Sequence, residues 1–271
     1  MQEKESFFRE LLADHQQAID CPSNEKVITF FEELISYLFP DYGDYKLSTL
    51  EEVKQNYNLL HEQWLTITQN RCKQLEEKYP GNPSALFDDL LTIRNKLLKD
   101  VQAIFDGDPA AKSTVEIIKT YLGFKAIAAY RIAHCLHNSG YVLIARMISE
   151  YAHSKTGVDI HPGATIAEYF CIDHATGIVI GETSDIGHHV KIYQGVTLGA
   201  TSVDKSYAKK KRHPTIGNNV VIYANATILG GQTFIGDNST IGGNSWITKT
   251  VPPNSKLYYD SKNNYLHQTA L

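Results

Sequence analysis

Little in this sequence points to a specialised environment. Four of 271 residues are cysteine, and Cys21, Cys72, Cys135 and Cys171 lie far apart, without a Cys-x-x-Cys pair or the spacing of a zinc ribbon. That argues against a disulfide-stapled scaffold and makes a reduced, cytoplasmic compartment the expectation. Neither sign of charge dominates: 26 lysines and arginines face 30 aspartates and glutamates, a net charge of −4. Such a balance leaves no basic footprint for nucleic acid or an anionic membrane. The opening Met-Gln-Glu-Lys-Glu-Ser is acidic before it is apolar, unlike a secretory signal. No segment approaches the roughly 20 apolar residues needed to span a bilayer. What is present is 42% hydrophobic residues, enough for a real core and room for two modest domains.

The first half reads at a helical period. Val27, Ile28, Phe30, Phe31, Leu34, Ile35 and Leu38 form one apolar stripe, stopped by Pro40 and Gly43. Ser48-Thr49-Leu50-Glu51 has the spacing of a capping box and predicts a helix from about 49 to 70. Ser84 offers another cap before Leu86, Phe87, Leu90, Leu91, Leu97, Leu98, Val101 and Ile104, and the 105–109 segment breaks that run. Two further helical stretches, about 121–138 and 141–155, are separated by Gly140 and end at Gly157.

From Ile160 the period becomes six. Ile160, Ile166, Ile172 and Ile178 are followed, after a two-residue slip, by Ile180, Ile186, Ile192 and Leu198, then by Ile216, Ile222 and Ile228, and by Ile235, Ile241 and Ile247. Small or β-branched residues such as Ala164, Thr176, Val196, Ala226, Ser239 and Ser245 recur four places on. Helical amphipathicity cannot produce this register; a parallel β-helix can, with each unit a short strand plus a turn and three units to a coil. Gly181, Gly187, Gly217 and Gly236 suit tight corners. The predicted fold is α+β: a helical domain over 1–157, a left-handed parallel β-helix over 158–253 with an excursion loop at 201–213, and a polar tail over 254–271, mobile from about residue 256.

Within this frame stand Gly-Asp-Pro-Ala at 107–110, Tyr-Arg-Ile-Ala-His at 130–134, Val-Asp-Ile-His-Pro at 158–162, Asp-His-Ala-Thr-Gly-Ile-Val-Ile-Gly-Glu-Thr at 173–183 and Arg-His-Pro at 212–214. Together they resemble the serine acetyltransferases of the hexapeptide acyltransferase superfamily. The resemblance implies transfer of acetyl from acetyl-CoA, a co-substrate, to the hydroxyl of L-serine, giving O-acetylserine for cysteine biosynthesis, with no metal. It assigns His174 as general base with Asp159 behind it, and His213 with Glu182 as a second pair. A histidine held in one tautomer by a carboxylate suits removal of a hydroxyl proton. Arg212 suits the serine carboxylate through its planar fork, and Asp108 and Asp173 are expected to hold the ammonium. Gly199, Ala200, Ala224 and Gly242 sit at corner positions for the coenzyme groove. Two departures stand out: the loop before Arg212 carries Lys209, Lys210 and Lys211 instead of a glycine-rich segment, and Asn-Ser-Lys-Leu-Tyr-Tyr-Asp follows Val251-Pro252-Pro253.

The resemblance also implies a homotrimer with its active site between subunits, assembled further as a dimer of trimers, and feedback inhibition by L-cysteine. In many members the C-terminal peptide binds O-acetylserine sulfhydrylase through a terminal isoleucine; Leu271 here moves the side-chain branch by one carbon, so that complex is expected to be weak or absent. Other readings use the same residues. A hexapeptide-type O-acetyltransferase can take another hydroxyl acceptor, though Asp108, Asp173 and Arg212 favour a small zwitterion. A zinc enzyme like the γ-type carbonic anhydrases uses three histidines on this scaffold, for which His161, His174, His188, His189 and His213 are candidates. A non-catalytic partner protein would not need the proposed acids and bases.

Overall fold

The computed structural model describes residues 2–18, 21–44, 46–69, 81–202, 210–260 and 265–270. Cys72, Lys209, the 203–209 part of the excursion and Leu271 lie outside the described residues. Among the described residues the helices are α1 (Gln2–Gln17), α2 (Asn24–Leu38), α3 (Leu50–Gln69), α4 (Ala85–Asp88), α5 (Leu90–Gly107), α6 (Thr114–Thr120), α7 (Leu122–Asn138) and α8 (Val142–Thr156). The apolar stripe of α2 is buried, with Trp64 of α3 stacked on Phe30. The capping box sits one residue later than expected. Glu52 N–H donates to Thr49 Oγ1 at 3.1 Å, and Glu52 Oε2 accepts from the Thr49 and Ser48 amides. Ser84 precedes α4 but makes no side-chain cap, and Asp89 separates α4 from α5. The helical period did not reveal α1 or α6. Phe7, Phe8, Leu11 and Leu12 of α1 are exposed, and α6 is only seven residues long, capped by Ser113.

Helix α7 is buried almost throughout and fixes the helical half to the first coil. A β-carbon on Gly123 would stand 2.3 Å from the Ile172 carbonyl oxygen, so α7 begins directly against the backbone of the coil. The 130–134 motif proves to be docking hardware. Tyr130 donates its hydroxyl to Ala164 O at 2.7 Å and accepts from Ile166 N–H. Arg131 forms a buried two-point pair with Asp100 of α5, at 2.9 and 3.0 Å, and donates to the Ile166 and Ala167 carbonyls. Asp100 also accepts from Phe170 N–H, so every strong group in the pair is satisfied.

Thirteen two- or three-residue strands from β1 (Asp159–Ile160) to β13 (Trp246–Ile247) build the left-handed parallel β-helix. Face A holds β1, β4 (Val179–Ile180), β7 (Thr197–Gly199), β10 (Thr227–Leu229) and β13; face B holds β2 (Thr165–Ile166), β5 (Asp185–Ile186), β8 (Thr215–Ile216) and β11 (Phe234–Ile235); face C holds β3 (Cys171–Ile172), β6 (Lys191–Ile192), β9 (Val221–Ile222) and β12 (Thr240–Ile241). The hexad aliphatics are all buried within the coil. The two-residue slip is a real enlargement: β3 (Cys171–Ile172) and β4 (Val179–Ile180) are separated by the corner 173–178, longer than its neighbours. There Ala175, not Thr176, turns inward, because the extra residues shift which side chain fills the coil. The four corner glycines do not use positive φ. Gly181 is needed because a β-carbon there would stand 2.1 Å from the His213 ring, and asparagines such as Asn219 and Asn225 adopt the left-handed turns instead.

Two expectations change. Residues 255–260 do not form a loose tail: β14 (Ser255–Asp260) extends face C in parallel with β12, Leu257 is buried, and β15 (Tyr265–Ala270) pairs antiparallel with β14. The alternating Ser255, Leu257 pattern continues the inward register of the coil, which polarity alone obscured. Cys21 is disulfide-bonded, which the wide spacing of the cysteines did not suggest, while Cys135 and Cys171 are free. Among the described residues no helix is long and apolar enough to cross a membrane.

Candidate active site

Three edges join the three faces, and the candidate residues collect on the two that flank face A. The first edge runs from face C to face A and includes the enlarged corner 173–178. His174 and Ala175 both adopt left-handed backbone, with φ of 58° and 61°. Two such non-glycine residues in succession are strained, at a cost of about 1–3 kcal/mol each, and the turn leaves the His174 side chain 67% exposed. Its Nε2 lies 3.8 Å from Asp173 Oδ1.

Around His174 the helical half delivers Asp108. Helix α5 ends at Gly107, and Asp108 caps it, accepting from Ala110 N–H at 2.8 Å and from the Tyr121 hydroxyl at 2.7 Å. The Tyr121 bond, then that of Ala110, with Lys191 and His174 nearby, hold the Asp108 carboxyl below its ordinary value; the same bond pushes Tyr121 up to about 12. Sequence reasoning missed Tyr121 and Lys191. Lys191 of β6 donates to Asp173 Oδ2 at 2.8 Å and to the Gly107 carbonyl at 2.6 Å, and its ammonium lies 4.5 Å from the Tyr193 ring centre. Burial opposes its charge most strongly, but the Asp173 carboxylate, the Tyr193 side chain and Cys171 together hold the ammonium above its ordinary value. The available signal was register: Lys191 is the coil partner of Cys171, two residues before Asp173.

The second edge runs from face A to face B. Glu182 pairs with the Arg212 guanidinium, and His213 is packed against Gly181. His213 Nδ1 accepts from Thr183 N–H at 3.0 Å, Thr183 Oγ1 also accepts from the Arg212 and His213 amides, and the Glu182 carboxylate acts on His213 through space. Burial, then the Arg212 charge, lowers His213 to about 4. Burial likewise lowers His161 to about 4, and Glu182, despite burial, is held low by Arg212 and His161. Lys211, exposed, ties the returning limb of the excursion to Thr183 O and Asp185, both at 2.6 Å.

Asp159 stands on β1, half-buried, and among the described residues no hydrogen bond or ion pair joins it to His174. Of the coenzyme candidates, Ala224 and Gly242 lie on the first edge, where Gly242 N–H donates to Leu257 O and its face is close to Tyr258. Gly199 ends β7, and Ala200 follows it onto the second edge. The five histidines of the zinc reading are spread over all three edges, His188 and His189 on the third.

No family model matches the chain. The plasmid serine acetyltransferase of Synechococcus elongatus is 44% identical over 268 residues, covering 90% of this chain and 83% of that protein. This chain belongs to the serine acetyltransferase family. The serine acetyltransferase of Bacillus subtilis is 49% identical over 133 residues, 49% of this chain and 59% of its own length. In three dimensions, serine acetyltransferase isoform 3 of Entamoeba histolytica, crystallised with cysteine, matches with a TM-score of 0.75 at 38% identity, over 89% of this chain and 82% of that one. A serine acetyltransferase complex with CoA matches with a TM-score of 0.60 at 28% identity, over 89% and 83%.

Proposed function

We propose that this chain transfers the acetyl group of acetyl-CoA to the hydroxyl of L-serine, giving O-acetylserine for cysteine biosynthesis. The observation that carries the reading is the strained corner 173–178, which holds an exposed histidine beside a carboxylate and opposite the Asp108 turn. Asp108 and Asp173 hold the serine ammonium and Arg212 its carboxylate. His174 takes the hydroxyl proton as the serine oxygen attacks the thioester carbonyl; the C–S bond then breaks, and the departing CoA thiolate takes that proton back from the His174 imidazolium, restoring the base. Asp159 supports the imidazolium through space. His213 and Glu182 line the acceptor from the opposite edge, with Glu182 orienting Arg212. Ala224, Gly242, Gly199 and Ala200 line the coenzyme path, where small residues leave room for backbone contacts to the pantetheine arm.

Because the half-sites lie on opposite edges of face A, the complete site forms where the first edge of one copy meets the second edge of another. A homotrimer through the β-helix does this, with the helical halves joining trimers into a hexamer. The division of labour is a helical domain over 1–157 and a catalytic coil over 158–253. L-cysteine differs from serine by one atom and inhibits by competing for the same ammonium and carboxylate partners.

The test is release of free thiol from acetyl-CoA against a panel of hydroxyl acceptors. Turnover with L-serine far above that with sugars or L-homoserine supports the reading; preference for another acceptor overturns it.

A further inference from the structure

Lys191 occupies the acceptor half-site without any part in the motifs. Its ammonium bridges two otherwise separate pieces of structure, the Gly107 carbonyl at the end of α5 and Asp173 on the coil. Its side chain is 14% exposed and that of Asp173 12%. A long, rotamer-rich side chain is held in one place by two short charge-assisted bonds and an aromatic face. Asp108 follows Gly107 directly, so the Gly107 bond fixes the turn from which Asp108 projects. The half-site thus gathers two carboxylates and one ammonium, with Asp108 further held by Tyr121 from the start of α7.

We propose that Lys191 is a positioning residue that sets both the geometry and the charge of this half-site. It pins the Asp108 turn to Asp173, and it leaves the pair of carboxylates with one net negative charge, matched to an acceptor carrying a single ammonium. Without it, Asp173 loses an ammonium partner at 2.8 Å and the Gly107 carbonyl loses its tie to the coil. Asp173 also faces His174 through Oδ1, so removing the Lys191 charge changes the field beside that ring. The groups facing Lys191 are Asp173 and Cys171 of the preceding coil, Asp108 from the helical half and Tyr193 beside it; those facing His174 are Asp173, Asp108 and Tyr193. The inference rests on Asp108 and Asp173 being the ammonium partners.

The experiment compares Lys191→Met, Lys191→Arg and Asp108→Asn with the parent enzyme. Lys191→Met, near in volume but uncharged, raises the KM for L-serine by about tenfold or more, with the KM for acetyl-CoA unchanged. Its acid limb of kcat/KM for serine moves to higher pH, because protons compete better for the uncompensated groups. Lys191→Arg keeps the charge and keeps the acid limb at the parental pH, even where the bulkier fork weakens serine binding. A parental serine KM and parental acid limb in Lys191→Met overturn the role of Lys191. If that variant fails to fold, Lys191→Arg decides: a displaced acid limb overturns the inference. An unchanged serine KM in Asp108→Asn, with Lys191→Met impaired, instead overturns the assignment of Asp108 to the ammonium.

Discussion

Asp173 divides its carboxylate between two neighbours: Oδ2 lies 2.8 Å from the Lys191 ammonium and Oδ1 lies 3.8 Å from His174 Nε2. The group expected to meet the substrate ammonium is thus linked to the group expected to remove the hydroxyl proton. Replacing His174 by alanine is expected to lower kcat by about 10²–10⁴-fold, the usual contribution of a positioned base. Because the ring is largely exposed, coenzyme binding and thermal stability should stay at parental values. Asp159→Asn, which breaks no direct bond to His174, should be milder. Steady-state kinetics with a binding assay checks both.

Arg212 carries a different expectation. Its guanidinium is already oriented by Glu182, so Arg212→Ala should raise the serine KM while leaving kcat at saturating serine much less affected. Glu182→Gln keeps the shape but weakens the hold on Arg212 and should give a smaller rise in the same constant. An unchanged serine KM in Arg212→Ala would assign the carboxylate to another group.

The Asp100–Arg131 pair predicts a stability effect remote from the chemistry. Asp100→Ala strands a buried guanidinium, and breaking such a pair typically costs about 3–5 kcal/mol. Because α5 carries Asp108 at its end, serine KM should rise in the surviving folded protein. Thermal unfolding read beside kinetics separates the two effects.

Acid sensitivity follows from His161 and His213. Each is lowered to about 4 in the folded chain from an ordinary 6.5, so between those values the unfolded chain binds protons that the folded chain refuses. Stability from these groups is complete above pH 6.5 and is lost as pH falls toward 4. The melting temperature should therefore fall across that window, and His213→Gln should reduce the fall.

The fold was legible because its register is covalent arithmetic: the aliphatic positions every sixth residue are the ones buried in the coil, and the two-residue slip is the enlarged corner that bears His174. The helical stripe of α2 was equally plain. Less legible were the contacts between elements. Lys191 and Tyr121 reach the site only because β6 lies above β3 and α7 starts beside Asp108, and no local pattern encodes that approach. Nor did the sequence reveal that Thr183, beside Glu182, donates to His213 Nδ1 or that Glu182 also pairs with Arg212. The polar strand β14 was hidden because its partner, β12, is supplied by the preceding coil.

The central claim is that serine acetylation needs the first edge of one copy and the second edge of another. His174→Ala and His213→Ala, purified separately, should each be nearly inactive in serine-dependent thiol release from acetyl-CoA. Unfolded and refolded together in equal amounts, they should recover about a quarter of parental activity, because random mixing pairs an intact His174 edge with an intact His213 edge at that frequency. Activity in the mixture no greater than the mean of the two separate variants would contradict the account, since each copy would then hold a complete site of its own.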